Sequence, residues 1–196
     1  EIAGEGCRRL QLGSGFVVGD EIVATNAHVV AGVDNPFVRI DSERELPAEV
    51  IGFDPGVDIA LLRVVGLNRV PLPLGDAEVD DEGAILGFGT DKAPNEMLDP
   101  LGLDPDPFRI NRLITAKGEN IYRDSGEFRR AAYLLAAAIE SGDSGGPLVR
   151  NDGTAVGIVF ASSRRPHTAY AVRSSEIQRL LDEPEILGDL SRCAEG

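Results

Sequence analysis

The sequence predicts an all-β fold, a sandwich or a barrel, with a short C-terminal helix. Short apolar segments alternate with turn residues along most of the 196-residue chain, which holds 23 Gly and 12 Pro. Only residues 174–181 repeat apolar side chains at helical spacing, because Ile177, Leu180 and Leu181 fall on one face. The serine pair at the start of this segment can cap the helix.

The strands of the first half are bounded by clear turn signals. Residues 12–18 are apolar with small residues, and Gly19-Asp20 then turns the chain. Residues 58–65 form an apolar run interrupted only by Arg63, which is typical of a strand buried on both faces. Strands are predicted in this half over residues 12–18, 22–25, 37–40, 48–51 and 58–65.

The second half also alternates short predicted strands with turns, but one long segment without a strand pattern interrupts it. Strands are predicted over residues 84–88, 109–116, 133–139, 147–149, 155–160 and 168–172. Residues 89–108 contain four prolines and several Asp, and a loop of that length is usually functional or disordered. We expect a loop there, either a solvated surface excursion or a lid over a cleft.

The acidic balance excludes two classes of partner. The chain carries 19 Lys and Arg against 33 Asp and Glu, for a formal charge of −14. Nucleic acid and anionic lipid reward clustered Lys and Arg, so neither is an expected partner. No run of about 18 apolar residues occurs, so no membrane segment is predicted in this chain, which leaves open a membrane-anchored parent protein.

The two cysteines, Cys7 and Cys193, lie near opposite ends of the chain. From the residues alone, two interpretations stay open: two unrelated thiols, or a disulfide that ties the termini together. A disulfide of this kind persists outside the cytosol. With only His28 and His167 in the chain, the cysteines do not form a zinc site by spacing, and no metal or cofactor is predicted.

The strongest chemical signal is the run Gly142-Asp143-Ser144-Gly145-Gly146-Pro147, between two predicted strands. A serine hydroxyl is a weak nucleophile that needs a base to take its proton. It also needs backbone N–H groups directed at the developing oxyanion, and adjacent glycines let the backbone turn so that those amides converge. The run therefore predicts a nucleophilic serine rather than a glycine-rich turn without chemistry.

Two further motifs supply candidates for the base and its partner. His28 lies in Thr25-Asn26-Ala27-His28-Val29-Val30, directly after a predicted strand. Asp58 opens an otherwise apolar strand, where a carboxylate without a partner would be costly to bury. Taken singly, each residue could be structural. The chain order His, Asp, Ser, with each residue beside a predicted strand end, favours a catalytic set.

These motifs resemble those of the chymotrypsin-like (trypsin-fold) serine proteases, over about residues 13–173. The resemblance implies two packed antiparallel β-barrels with the active site in the cleft between them. It divides the chain into an N-terminal barrel with His28 and Asp58 (1–80), a C-terminal barrel with Ser144 (81–173), and a C-terminal helix and tail (174–196). The implied activity is that of a serine endopeptidase, with protein or peptide substrates and without a cofactor.

The resemblance also implies a role for each catalytic residue. His28 takes the Ser144 proton and returns it to the leaving amine, while Asp58 fixes the His28 tautomer. The backbone N–H groups of Gly142 and Ser144 are expected to form the oxyanion hole.

The substrate-binding residues are implied in the same way. Ala138 is expected at the base of the primary specificity pocket, with Val159, Phe160 and Ala161 along one wall. Because these residues are small or apolar, we expect small-to-medium apolar P1 residues to be preferred over Lys or Arg. The nearby carboxylate of Glu140 argues for some acidity at the site.

A narrower resemblance is to bacterial envelope proteases of the HtrA type and, more closely, to the periplasmic domain of mycobacterial membrane-anchored acid-resistance serine proteases. It rests on Gly13-Ser14-Gly15-Phe16-Val17-Val18 and on the motif that contains His28. The terminal cysteine pair is similar too. This resemblance implies a Cys7–Cys193 disulfide and an extracytoplasmic location in the periplasm, the cell envelope or the medium.

Two alternative interpretations assign the chain to other classes of protein. The run around Ser144 also fits G-x-S-x-G, the nucleophile elbow of α/β-hydrolases, for which only Asp152 and His167 follow as partners. The chain lacks the alternating strand–helix pattern of that fold. The second alternative is a catalytically silent binding module that kept the trypsin fold.

Overall fold

The computed structural model describes residues 1–41, 44–88, 104–163 and 165–194. The regular secondary structure of the described chain is mostly strand, as the sequence predicts. The strands are β1 Ile2–Gly6, β2 Arg9–Gly13, β3 Phe16–Gly19, β4 Ile22–Thr25, β5 Phe37–Arg39, β6 Glu45–Pro47, β7 Glu49–Asp54, β8 Ile59–Arg63, β9 Glu82–Gly87, β10 Asp104–Gly118, β11 Phe128–Ala136, β12 Pro147–Arg150, β13 Ala155–Ser162 and β14 Thr168–Arg173. The helices are α1 Ala27–Val30 and α2 Ser174–Asp182.

The first half forms two four-stranded antiparallel sheets, with strand orders β2-β1-β5-β6 and β3-β4-β8-β7. In the described residues the first half is hydrogen-bonded as two sheets rather than as one closed barrel, and the predicted all-β fold is confirmed. The predicted strand 12–18 is divided between the two sheets. The division falls at Ser14-Gly15, where a Cβ on Gly15 would lie only 2.9 Å from the Ala24 carbonyl oxygen.

The second half is a closed six-stranded barrel in the order β10-β11-β14-β13-β12-β9. Strand β10 begins at 104, inside the predicted loop 89–108, and Pro105 and Pro107 pair with β9. These prolines fit a strand because the pairing of β10 with β11 starts only at Arg109, so their missing N–H groups cost no ladder bond. Residues 89–103, and with them the lid hypothesis, lie outside the described part of the chain.

Within the described residues, three apolar clusters hold the fold together. One lies in the first half around Phe53 and Leu62, and a second fills the barrel around Tyr133 and Leu135. The third joins the halves, because it contains residues of β3, β4, β8, β13 and β14 together with helix α2. A cleft between the halves is thus flanked by packed surfaces on both sides.

The two helices differ in how well the sequence predicts them. Helix α2 spans Ser174–Asp182 and buries Ile177 and Leu180, as its helical spacing predicts. Helix α1 is a single turn that the periodicity did not reveal. Among the described residues, neither helix is long and apolar enough to span a bilayer.

A disulfide joins Cys7, in the turn between β1 and β2, to Cys193 near the C-terminus, and this confirms the predicted pairing. The two Cα atoms lie 5.7 Å apart. Gly32 passes so close that a Cβ there would lie 2.4 Å from the Cys7 sulfur, and Gly32 itself has a φ of +72°. The bridge therefore fixes the hairpin that contains β2 to the C-terminal segment.

Candidate active site

His28 is presented by the single turn of α1. Ala27, Val29 and Val30 of this turn are buried, whereas the His28 side chain keeps 29% of its exposure. Asn26 precedes the turn but does not cap it; its Nδ2 instead donates to the Asp58 carbonyl oxygen at 2.8 Å. The turn is thus tied directly to the segment that carries the candidate partner of His28.

Asp58 lies just before β8 in a left-handed conformation with a φ of +70°, which Asp tolerates better than most residues. The turn is organised by Asp54, whose Oδ1 accepts the N–H groups of Gly56 and Val57, both at 3.0 Å. The Asp58 N–H donates to the Asp54 carbonyl at 2.8 Å. Asp58 is buried, so its carboxylate needs a partner inside the protein.

That partner is His28. The ring Nδ1 lies 2.8 Å from Asp58 Oδ2, and the His28 backbone N–H donates to Oδ1 at 3.0 Å. Burial by itself lowers the pKa of His28, but the charge of Asp58 and its hydrogen bond outweigh burial and raise the pKa above 6.5. The pair can therefore hold the imidazole in one orientation with Nε2 free as a base.

Ser144 lies in the tight turn between β11 and β12. Gly142 and Gly145 take φ values of +98° and +88°, which glycine adopts without strain. The Gly145 N–H donates to the Val159 carbonyl at 3.0 Å, and the Gly146 N–H donates to the Asp143 carbonyl at 2.8 Å. These bonds fix the shape of the turn.

The N–H groups of Gly142 and Ser144 are not used in a hydrogen bond to any other described residue. Two adjacent free donors beside a serine are what a developing oxyanion requires. The Ser144 hydroxyl makes no hydrogen bond to His28 in this structure. Such bonds often tighten only when substrate is bound.

A single cleft of about 380 Å³ brings the predicted residues together. His28, Gly142 and Ser144 line it, and Asp58 lies behind His28. Its remaining wall is formed by Arg9, Leu10, Gln11, Leu12, Val29 and Ser141. Sequence reasoning missed the contribution of β2, and only the exposed pair Leu10 and Leu12 on an edge strand gives a signal for it.

The four residues predicted to bind the substrate side chain lie outside this cleft lining. Val159 is fully buried in the barrel core, so only its backbone faces the Ser144 turn. Phe160 and Ala161 follow Val159 at a strand irregularity, and both are partly exposed. Ala138 is exposed on the segment between β11 and Ser144.

Phe160 has a defined environment. The buried Arg130 places its guanidinium carbon 5.2 Å from the centre of the Phe160 ring, and Tyr170 packs against the ring at 6.3 Å. Burial lowers the pKa of Arg130, while Asp58 and Asp54 act to raise it. Sequence reasoning did not identify this buried cation.

His167 and Asp152, the partners that the nucleophile-elbow alternative requires, are both exposed. Asp152 is paired with Arg150, which lowers its pKa to about 2. Neither residue lines the cleft that contains Ser144.

Comparison with known proteins agrees with this geometry. The profile of the family described as "trypsin-like peptidase domain" matches residues 13–158. The chain belongs to the trypsin-like peptidase family. The family accounts for the all-β architecture, and its match begins at Gly13 and ends within β13.

Among relatives of this trypsin-like peptidase, serine protease Rv3671c of Mycobacterium tuberculosis is 32% identical over 186 residues, covering 95% of this chain and 43% of the relative. A probable periplasmic serine endoprotease DegP-like of Pseudomonas putida is 37% identical over 150 residues, covering 75% of this chain and 28% of the relative. The chain thus spans less than half the length of these relatives.

The solved structure of Rv3671c protease in its active form superimposes with a TM-score of 0.87 at 30% identity, covering 99% of this chain and 84% of that one. The inactive form of the same protease gives a TM-score of 0.75, covering 93% and 87%. The backbone of this chain is therefore more similar to the active form.

Proposed function

We propose that this chain is the catalytic domain of an extracytoplasmic serine endopeptidase. The observation that carries the proposal is the single cleft in which Ser144, two free backbone N–H groups and a base backed by a buried carboxylate meet. The greater similarity to the active form of Rv3671c protease supports the same conclusion.

The reaction follows from these groups. His28 Nε2 takes the proton of the Ser144 hydroxyl as Oγ attacks the peptide carbonyl carbon, and the resulting oxyanion accepts bonds from the N–H groups of Gly142 and Ser144. The imidazolium then returns the proton to the leaving amine. Water, deprotonated by the same imidazole, hydrolyses the acyl-enzyme and releases the acid product.

The primary specificity pocket is proposed to lie between the segment of Ala138 and the outward side of β13, at Phe160 and Ala161. Small or apolar residues there favour small-to-medium apolar P1 residues. A library of peptides with varied P1 residues tests this preference, and cleavage mainly after Arg or Lys would refute it.

The proposed location rests on two observations. A disulfide is stable in oxidising compartments, and DegP-like relatives are named periplasmic. Trapping free thiols in intact cells with a membrane-impermeant maleimide tests it. We expect Cys7 and Cys193 to be labelled only after an impermeant reductant is added, and a lack of labelling after reduction in intact cells, with labelling after lysis, would contradict the proposed location.

The activity is tested by digestion of unfolded casein with wild type and Ser144→Ala. We expect turnover by wild type and a loss on the order of 10⁶ in the variant, together with fluorophosphonate labelling of wild type only. A folded wild type that neither digests casein nor reacts with the probe would favour the silent binding module.

A further inference from the structure

The segment Gly13-Ser14-Gly15 joins β2 to β3 and passes directly behind the turn that carries Ser144. Ser14 is fully buried. A Cβ on Gly13 would lie 2.6 Å from the Val29 side chain and 3.1 Å from the Ser144 carbonyl oxygen. The glycines thus allow Ser14 to approach the turn, yet the reaction described above gives this serine no role.

The N–H, the hydroxyl and the carbonyl of Ser14 are all hydrogen-bonded. Its N–H donates to the Ser144 carbonyl at 2.7 Å, and its Oγ donates to the Gly142 carbonyl at 2.7 Å. The same Oγ accepts the Phe88 N–H at 2.8 Å, and the Ser14 carbonyl accepts the Thr25 hydroxyl at 2.8 Å. One buried residue of the first half therefore holds two carbonyls of the turn in the second half.

These two carbonyls belong to Gly142 and Ser144, the residues whose N–H groups are the proposed oxyanion donors. The N–H and C=O of a trans peptide point in opposite directions, so a held carbonyl fixes the orientation of its peptide plane. Ser14 holds the Gly142–Asp143 and Ser144–Gly145 planes, on the C-terminal side of each donor residue, and the Gly146 N–H holds the Asp143–Ser144 plane, which contains the Ser144 N–H. Without the Ser14 hydroxyl, the Gly142–Asp143 plane keeps its longer bond, from the Asp143 N–H to the Glu140 carbonyl at 3.3 Å, so Gly142 is held less firmly and its N–H can shift.

We propose that Ser14 is a positioning residue, whose hydroxyl anchors Gly142 through its carbonyl and so keeps the Gly142 N–H aligned with that of Ser144 for the oxyanion. The inference rests on the proposed protease function. Losing one oxyanion donor costs about 10²–10³ in rate, and a misplaced but present donor costs less. We therefore expect Ser14→Ala to lower kcat by about 10- to 100-fold.

The test compares kcat, KM and the inhibition constant of a peptide aldehyde for wild type and Ser14→Ala. The aldehyde forms a hemiacetal with the Ser144 Oγ, and its oxygen occupies the oxyanion position. We expect KM to change less than about twofold and the aldehyde to bind more weakly by the same factor as the loss in kcat. The pH midpoint of kcat/KM should stay unchanged, because the His28–Asp58 pair is untouched.

Ser174→Ala is the matched control. Ser174 is also a buried serine, and its Oγ donates to the Ala155 carbonyl at 2.8 Å, away from the cleft. It should lower the melting temperature while kcat stays within about twofold of wild type. An equal loss of kcat in Ser174→Ala, or a Ser14→Ala effect confined to KM, would overturn the inference.

The experiment also distinguishes a folding defect of the variant from a failure of the proposed function. If Ser14→Ala does not fold, Ser14→Cys keeps the side-chain shape with a weaker donor and should lower kcat at constant KM; wild-type kcat in that variant refutes the role. Wild-type protein that is folded but inactive contradicts the proposed function itself. Active wild type with an unaffected Ser14→Ala contradicts only the role of Ser14.

Discussion

The substitution Asp58→Asn should invert the protonation of the His28 imidazole, the proposed base. Asp58 Oδ1 accepts the His28 backbone N–H at 3.0 Å, while Oδ2 faces the ring Nδ1 at 2.8 Å. An amide in this place keeps its oxygen on the backbone N–H and turns its NH₂ toward Nδ1. Nδ1 must then accept, so the ring proton moves to Nε2, which can no longer take the Ser144 proton.

The expected loss follows from this geometry. Loss of the correct tautomer costs about 10⁴ in kcat in triads of this kind, which corresponds to about 5 kcal/mol of transition-state stabilisation. The pKa of His28 should also fall below 6.5, because burial remains and the raising effects of Asp58 are lost.

The same change has a stability consequence with a definite sign. In wild type, the raised pKa of His28 stabilises the fold below pH 6.5, and this contribution is lost as the pH rises through the raised pKa. Catalysis needs the neutral ring, so activity rises over the interval in which the stabilisation disappears. The stability deficit of Asp58→Asn should therefore be larger at pH 5 than at pH 8.

Three measurements check these expectations: kcat/KM from pH 5 to 9, NMR titration of the His28 ring, and urea unfolding at pH 5 and at pH 8. Asp152→Asn is the matched control, because Asp152 is exposed and outside the cleft. It should keep wild-type kcat. A loss in Asp152→Asn with a normal Asp58→Asn, or a His28 midpoint that does not fall in Asp58→Asn, would refute the reasoning.

Three further substitutions test the scaffold of the site. Replacing Cys7 and Cys193 by Ser should lower the free energy of unfolding by roughly 3–5 kcal/mol in urea titration, because the bridge closes nearly the whole chain; a loss below about 1 kcal/mol contradicts this. Asp54→Ala should cost about 3 kcal/mol and reduce kcat, since two buried N–H groups lose their acceptor; unchanged urea stability would exclude this role. Gly145→Ala should abolish turnover in the casein assay, because its Cβ would lie 2.1 Å from the Ser14 carbonyl oxygen; an active, folded variant would show that the turn can shift.

Strand positions could be predicted where apolar residues alternate between turn signals, and strand boundaries could not. The segment 12–18 has one apolar pattern, but the close approach of Gly15 to Ala24 splits it between two sheets. Strand β1 escaped prediction because its small residues Ala3, Gly4 and Gly6 give a weak apolar signal. Tertiary packing, which the local sequence does not encode, determines both the division of segment 12–18 and the formation of β1.

The residues proposed to carry the chemistry were more predictable from the sequence than the residues that line the specificity pocket. Nucleophile, base and carboxylate require particular residue types, and the structure brings His28, Asp58 and Ser144 to one place. The specificity residues depend on which face of β13 meets the cleft. That face depends on register and strand irregularity, and the β13–β14 register shifts between Val159 and Ala161. Composition alone therefore could not distinguish the buried Val159 from its neighbours.

The supporting residues were the hardest to predict, for a common physical reason. Asp54 shapes the turn of Asp58, and Ser14 reaches the turn of Ser144 from 128 residues away in sequence. Both act by accepting or donating to backbone groups, which every sequence carries and no motif identifies. A catalytic motif shows what chemistry a chain can perform, whereas the partners of its backbone carbonyls and N–H groups determine whether the geometry is held for that chemistry.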